Sequence, residues 1–303
     1  IGKHNIKALV GTEAISYYGR NLSGTRSNYF SENPNFWTLG SGSASPQAND
    51  GGAYQSALWS QFARLEYGYA DKYLLNATVR RDQSSVFAPA ARTGIFPAFS
   101  AAWRISNESF FKGVTFVNDL KLRGSWGKLG SAVNVDGKNP FNLYASNAGK
   151  SYYDINGSNI NPSAGFYPSN LGNPKTSWEE DIITNFGLDA TLFKNKLEFT
   201  VEWYQKKVSG LLFPDNIDRI YGEATPPKIN IGDMQNTGID FSTTYHGTVG
   251  RDFKFDIGGT ITSYNNKIIA MAKDQKYFDG PTVRNVVIQR NEIGHPVWAF
   301  YGY

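Results

Sequence analysis

Three histidines, a run of three acids and one oxygen-rich hexapeptide are the residues of this 303-residue chain that could carry bond chemistry. His4, His246 and His295 stand far apart and lack the spacing of a metal site, so each reads as a structural or surface residue. Glu179-Glu180-Asp181 could pair carboxylates for acid/base work, but reads more simply as a solvated strand entrance beside a loop. Asp154-Ile155-Asn156-Gly157-Ser158-Asn159 offers oxygen ligands suited to calcium without the spacing or closing Glu of an EF-hand, and reads as a polar loop. No phosphate-binding loop and no nucleophile elbow occur. Cys is absent, which removes disulfide frameworks and thiolate metal sites and leaves the redox compartment open. The expectation is therefore a protein that is not an enzyme and holds no metal or cofactor.

What remains is the chemistry of recognition. Tyr152, Tyr153, Phe166, Tyr167 and Trp178 fall in one long polar stretch, and Phe36 and Trp37 in another. Rings among Asn and Ser suit a sugar, whose apolar face stacks while its hydroxyls find polar partners; loop-internal packing and docking of a partner protein are the simpler uses. Arg64, Arg80, Arg123, Glu198, Glu202, Lys254 and Asp256 occupy polar positions of alternating segments. They suit mutual pairing across a wet interior, or the lining of a solute path.

The elements that would position these residues are strands. Leu65, Tyr67, Tyr69, then Tyr73, Leu75, Ala77 and Val79 share one face, against Arg64, Glu66, Gly68, then Asn76, Thr78 and Arg80 on the other. Such alternation marks strands with one face in an apolar medium and one in water. About ten strands are expected: His4 to about Tyr18, 57–69, 73–82, 94–105, 119–128, 182–192, 197–207, 238–246, 253–264, and a last one from Val297 to Tyr303. Aromatics at 15% and 31 glycines agree with strands and turns. Asn76-Ala77-Thr78 is a glycosylation sequon only in form, since it sits inside a strand.

Connections alternate between short (70–72, 193–196, 247–252) and long (19–56, 130–181, 208–236, 265–296), with 83–93 and 106–118 intermediate. In an up-and-down meander the long ones then gather at one end, as in outer-membrane barrels. A soluble sandwich has no reason to sort loops this way. Tyr67, Tyr69, Tyr73, Phe193, Phe199, Tyr245, Phe253 and Phe255 crowd the short turns, where a membrane interface favours amphipathic rings. No run of 18 apolar residues exists, so no spanning helix is expected; the mean hydropathy of -0.42 does not exclude a barrel, whose strands are apolar only at alternate positions. The net charge of +4 is spread among acids and forms no basic stripe, which argues against nucleic acid. Ile1-Gly2-Lys3-His4 runs directly into strand-like sequence, so the chain is expected to begin inside a fold.

Several strings resemble the SusC/RagA-like TonB-dependent transporters of the Bacteroidetes outer membrane. They are Leu75-Asn76-Ala77-Thr78-Val79-Arg80-Arg81-Asp82 with Ser84-Ser85, Phe96-Pro97-Ala98-Phe99-Ser100-Ala101-Ala102-Trp103-Arg104-Ile105, and Leu120-Lys121-Leu122-Arg123-Gly124-Ser125-Trp126-Gly127. Trp178-Glu179, Phe186-Gly187-Leu188-Asp189 and Trp203-Tyr204-Gln205-Lys206-Lys207 follow in the same order. Asn230-Ile231-Gly232-Asp233-Met234-Gln235-Asn236-Thr237-Gly238 and Phe300-Tyr301-Gly302-Tyr303 complete the set. Gln83 departs where Gly is usual and Val86 where a base is common; both bear on loop shape. The resemblance implies an all-β, antiparallel, up-and-down transmembrane β-barrel of 22 strands closed around a plug, with residues 1–303 forming a partial barrel domain of about ten strands. It further implies active import across the outer membrane of a Gram-negative cell, of an oligosaccharide or a peptide. The implied partners are a SusD-like surface lipoprotein, the TonB complex acting through the plug, and outer-membrane lipid. A secreted or periplasmic β-sandwich that binds glycans is the competing expectation.

Overall fold

The computed structural model describes residues 2–302 apart from 156, 158, 159, 161, 216, 272–275, 281 and 285. Its main sheet is an antiparallel meander. β1 (His4–Arg26), β2 (Gln47–Tyr69), β3 (Tyr73–Ser84), β4 (Thr93–Arg104) and β5 (Val117–Ser131) each pair with the next. A loop hairpin, β6 (Leu143–Ala145) with β7 (Tyr167–Asn170), interrupts the chain order. β8 (Glu179–Leu192), β9 (Leu197–Pro214), β10 (Lys228–Val249) and β11 (Phe253–Met271) then continue the sheet to nine strands. Five short strands follow: β12 (Tyr277–Asp279), β13 (Thr282–Val283), β14 (Val286–Val287), β15 (Gln289–Glu292) and β16 (Ala299–Phe300). Among the described residues the sheet is open: β1 and β11 are its edges and do not pair with each other.

The expected strand of 297–303 is not a tenth wall strand. Ala299 and Phe300 pair with β15, and β15 with β12, in a separate three-stranded sheet; Tyr303 lies outside the described residues. The long strands also outrun their expected ends. β1 and β2 are 23 residues each and β10 is 22. The loops shrink accordingly to 27–46, 132–178 and 215–227.

Register places the apolar residues in continuous rows. Ile6 faces Tyr67, which faces Leu75, then Ala101, Gly124, Phe186, Trp203 and Ile239. Much of this row is exposed: Ile6 is 65% accessible and Phe186 58%. An apolar band of this width facing water would be an aggregation surface, and facing lipid it is the ordinary barrel exterior. Stacked pairs Phe99–Trp126 and Phe186–Trp203 tie neighbouring strands on this face.

The register also measures strand tilt. The row that starts at Tyr73, first residue of β3, runs through Trp103, Leu122, Leu188, Val201 and Phe241 to Ile261. Ile261 is eight residues beyond the first residue of β11. With ~3.3 Å per residue and ~4.8 Å between strands, that stagger over six strand steps is a tilt of about 40°, within the range that closes membrane barrels.

Connections sort by end as the meander requires. At one end lie 70–72, 105–116, 193–196 and 250–252; at the other lie 27–46, 85–92, 132–178 and 215–227. The shortest turns use left-handed residues, Ala70 with Asp71 and Phe193 with Lys194 and Asn195, which match the strand twist. Rings flank these turns: Tyr69 on Tyr73, Phe116 on Phe193 and Tyr245 on Phe255.

The 105–116 connection is held by one buried acid. Glu108 accepts hydrogen bonds from Lys72 Nζ (2.7 Å), Tyr73 Oη (2.7 Å) and Trp103 Nε1 (3.2 Å). These donors, Lys72 first, pull its carboxyl down to about 2. Because the folded value lies below the ordinary 4.5, the stabilisation is complete above that pH and is lost as pH falls towards 2. The thermal midpoint of the purified protein should therefore drop between pH 4.5 and 2. In Glu108→Gln this part of the pH dependence should vanish; an unchanged slope in the variant would refute the assignment.

Candidate functional site

Because side chains alternate, every second residue of the nine strands lies on the face opposite the apolar band, and there the charged residues meet. Arg80 Nε donates to Asp82 Oδ1 (2.8 Å), while its Nη2 reaches Ser60 Oγ (2.7 Å) and Glu13 Oε2 (3.2 Å). This ties β1, β2 and β3. A second network ties β5, β8 and β9: Lys121 and Arg123 both pair with Asp189 (2.9 and 3.2 Å), and Arg123 continues to Glu202 (2.5 Å). Thr200 and Asn185 donate to the remaining oxygens of Asp189 and Glu202.

Arg123 reaches Glu202 by crossing β8 at Gly187. Arg123, Gly187 and Glu202 share one register row, and a Cβ on Gly187 would lie 2.6 Å from the guanidinium carbon. Only glycine leaves the guanidinium room to lie flat over the intervening strand. The pairing thus depends on residues 64 and 79 apart in sequence that no local pattern connects.

The other expected polar residues share this face. Arg64 pairs with Glu66 on its own strand (2.5 Å). Glu198 and Asp256 flank His246 at 3.6 and 2.7 Å near the short-turn end. Lys254 is exposed on the same face, with no ion pair among the described residues. Between the networks runs a concavity of about 550 Å³, lined by Lys7, Glu66, Asn76, Ser100, Ser125 and their neighbours.

The loop aromatics form separate groups. In 27–46, Tyr29 stacks on Trp37 and Phe30 meets Phe36 at a tilt, while Trp37 Nε1 donates to Ser31 O. In 132–178, Tyr153 bridges to Ser163, Lys150 lies over the Tyr167 ring, and Tyr152 and Phe166 are exposed. Among the described residues no ring contact joins the two groups. Trp178 departs from the expected surface role. Its ring packs on Phe87 (5.1 Å) and Phe96 (5.4 Å), and its Nε1 donates to Arg92 O, so it roots the loop in a small core with Val135 and Leu212.

The sequence reading missed the fasteners of that loop. Buried Asn139 accepts from Lys228 N (2.6 Å) and donates to Thr176, whose hydroxyl donates to Lys228 O (2.6 Å). Ser169 and Leu171 exchange backbone hydrogen bonds with Thr225, and Lys150 forms an ion pair with Glu223 that draws the Glu223 carboxyl below its ordinary value. Loops 132–178 and 215–227 are therefore one fastened unit. A polar residue inside a polar loop carries no sequence signal of burial.

The acid run takes ordinary partners: Glu179 accepts from Leu212 N, Glu180 pairs with Lys128 and Asp181 with Lys206. Among the described residues no three His, Cys, Asp or Glu side chains are arranged to hold a metal ion. Asn156, Ser158 and Asn159 of the calcium-like run lie outside the described residues.

A family profile described as TonB dependent receptor-like, beta-barrel matches residues 3–301. The chain belongs to this family. Among curated TonB-dependent receptors it is 33% identical to receptor P39 of Formosa agariphila, over 82% of the chain and 22% of that protein. It is 29% identical to SusC of Bacteroides thetaiotaomicron, over 83% of the chain and 25% of SusC. A solved RagAB peptide transporter superposes on 98% of the chain and 31% of its own, with a TM-score of 0.82 at 26% identity. The chain thus spans between about a fifth and a third of the relatives it matches. Its nine-stranded sheet, open among the described residues, has the fold of that family's barrel wall.

Proposed function

We propose that this receptor carries out TonB-dependent active import of a polar nutrient across the outer membrane, an oligosaccharide ahead of a peptide. Residues of this chain form part of the barrel wall and of the loops at its outer mouth. The observation that carries the proposal is the pairing of charges across β1–β3 and β5–β9 on one face, opposite an unbroken apolar band. A wall that bridges its charges internally while presenting Asn, Ser and Thr suits a wet lumen that passes polar solutes.

On this reading Arg64, Arg80, Arg123, Glu198, Glu202, Lys254 and Asp256 face the lumen. Phe36, Trp37, Tyr152, Tyr153, Phe166 and Tyr167 offer rings at the mouth. Transport needs no covalent step. The likeness to SusC and to RagAB supports a SusD-like surface lipoprotein as cap, and a plug through which TonB delivers energy.

The test is growth of the host on single glycans or peptides as sole carbon source, with the receptor gene intact, deleted, or in a TonB-null background. Loss of growth on the same substrate in both mutants is expected. Growth unaffected on every glycan and peptide, or an intact protein that is monomeric without detergent, would overturn the importer reading.

A further inference from the structure

We infer that the outer wall carries a binding site for one phosphate-bearing membrane lipid, its headgroup on Arg81 and an acyl chain in a concavity below. The inference rests on the reading that the apolar band meets lipid of the outer membrane. Arg81 shares a face with Leu75, Ala77 and Val79, so its side chain leaves the wall on the lipid side. It stands eight residues beyond Tyr73, at the short-turn end of β3. At ~3.3 Å per residue and a tilt of about 40°, that is a depth of about 20 Å. Reaching out along its stem, Arg81 meets the far edge of an apolar band ~25 Å tall, towards the long-loop end.

The guanidinium is held in place and left without an acid. Thr12, Gln61 and Arg81 are consecutive members of one register row. Arg81 Nη1 donates to Gln61 Oε1 (2.9 Å), and the guanidinium carbon lies 5.9 Å from the centre of the Trp59 ring. Trp59 Nε1 donates in turn to Thr12 Oγ1 (3.0 Å). Two other bases of this face bring their own acids: Lys128 pairs with Glu180 (2.6 Å) and Lys207 with Asp233 (2.8 Å). Arg81 has no carboxylate partner among the described residues, and its Nε and Nη2 have no acceptor there. A base at a lipid boundary without a protein anion is neutralised by an anionic headgroup. The guanidinium fork takes a phosphate through two parallel bonds.

A second feature lies where the chain of that lipid would run. Leu65, Leu75, Ala77, Phe99, Ala101 and Trp126 line a concavity of about 730 Å³ on the apolar band. Ala77 is four residues from Arg81 towards the short-turn end, about 13 Å along the strand. That distance falls within the ~15 Å that the chains of one leaflet span. Ala77 faces Leu65 and Phe99, and Ala101 faces Leu75, so small side chains leave a hollow between bulky ones. Headgroup and chain positions thus follow one another along one strand and one face, in the order of a lipid with its phosphate outward.

The test is native mass spectrometry of the intact detergent-purified receptor, titrated with phosphatidic acid, phosphatidylglycerol and phosphatidylcholine of identical acyl chains. One anionic lipid should be retained in preference to phosphatidylcholine. Arg81→Gln should weaken that retention about tenfold, the loss of one charge-assisted contact. Ala101→Phe fills the concavity and should weaken retention while keeping the headgroup preference. Lys128→Gln should leave retention unchanged, because that base already has an acid. Equal retention of the three lipids, retention undiminished in Arg81→Gln, or retention undiminished in Ala101→Phe would overturn the site. Folding of the receptor into liposomes in that case would leave the outer-membrane reading standing.

Discussion

Phe186→Arg should cost about 2–4 kcal/mol of folding free energy in lipid, the depth-dependent penalty for a base near the bilayer midplane. Phe186 sits in the middle of β8, on the apolar face, more than half exposed and stacked on Trp203 at 6.0 Å. In water, arginine in place of an exposed phenylalanine is close to neutral, so the sign of the effect identifies the medium. Two controls isolate the charge. Phe186→Ala removes the ring contact, worth about 0.5–1.5 kcal/mol. Ser100→Arg places the same base on the polar face and should cost less than ~1 kcal/mol. Refolding of the intact receptor into liposomes, followed by denaturant titration, measures all three. Equal costs for arginine on the two faces would show that the apolar band does not meet lipid.

Arg123→Met should destabilise the wall by about 2 kcal/mol, because it leaves Asp189 and Glu202 facing each other across β8 and β9 with Lys121 as their remaining base. The cost arises from the uncompensated acids more than from the lost bond. The triple variant Arg123→Met, Asp189→Asn, Glu202→Gln should therefore recover most of it, a non-additivity expected for groups in one network. Gly187→Ala should give a smaller loss of the same kind, since its methyl displaces the guanidinium rather than removing it. Denaturant midpoints of the wild type and these three variants decide the matter: a triple variant no more stable than Arg123→Met would remove the network from the account.

The faces of the wall were legible because period-two alternation is a local property. Leu75, Ala77 and Val79 against Asn76, Thr78 and Arg80 settle which way each points before any partner strand is known. Which charges meet was not legible. Arg123 and Glu202 come together through the stagger between strands, a property of pairing and tilt that no single strand encodes. Strand length failed for a different reason. Residues 19–26 and 47–56 project beyond the end of β3, and their Gly, Ser and Asn read as loop although the β1–β2 ladder continues. Trp178 was misplaced because an aromatic in a polar stretch looks the same whether it is displayed or rooted. Of the expected strand from Val297 to Tyr303, the described residues that are strand are Ala299 and Phe300, and these pair with β15 and not with the wall.

The projection of β1 and β2 has a mechanical meaning. β3 leaves β2 at Leu58, while β1 and β2 stay paired to Arg26 and Gln47, about 35 Å further along. Among the described residues the result is a two-stranded ribbon that runs on past β3, with the paired rings of 27–46 at its tip and its root in the wall. At that root sit Glu13, Ser60, Arg80 and Asp82, cross-linking three strands where the bending moment is greatest. A sideways pull on the tip is transmitted as torque to the staves of the barrel, and Arg80 is the rivet that takes the load.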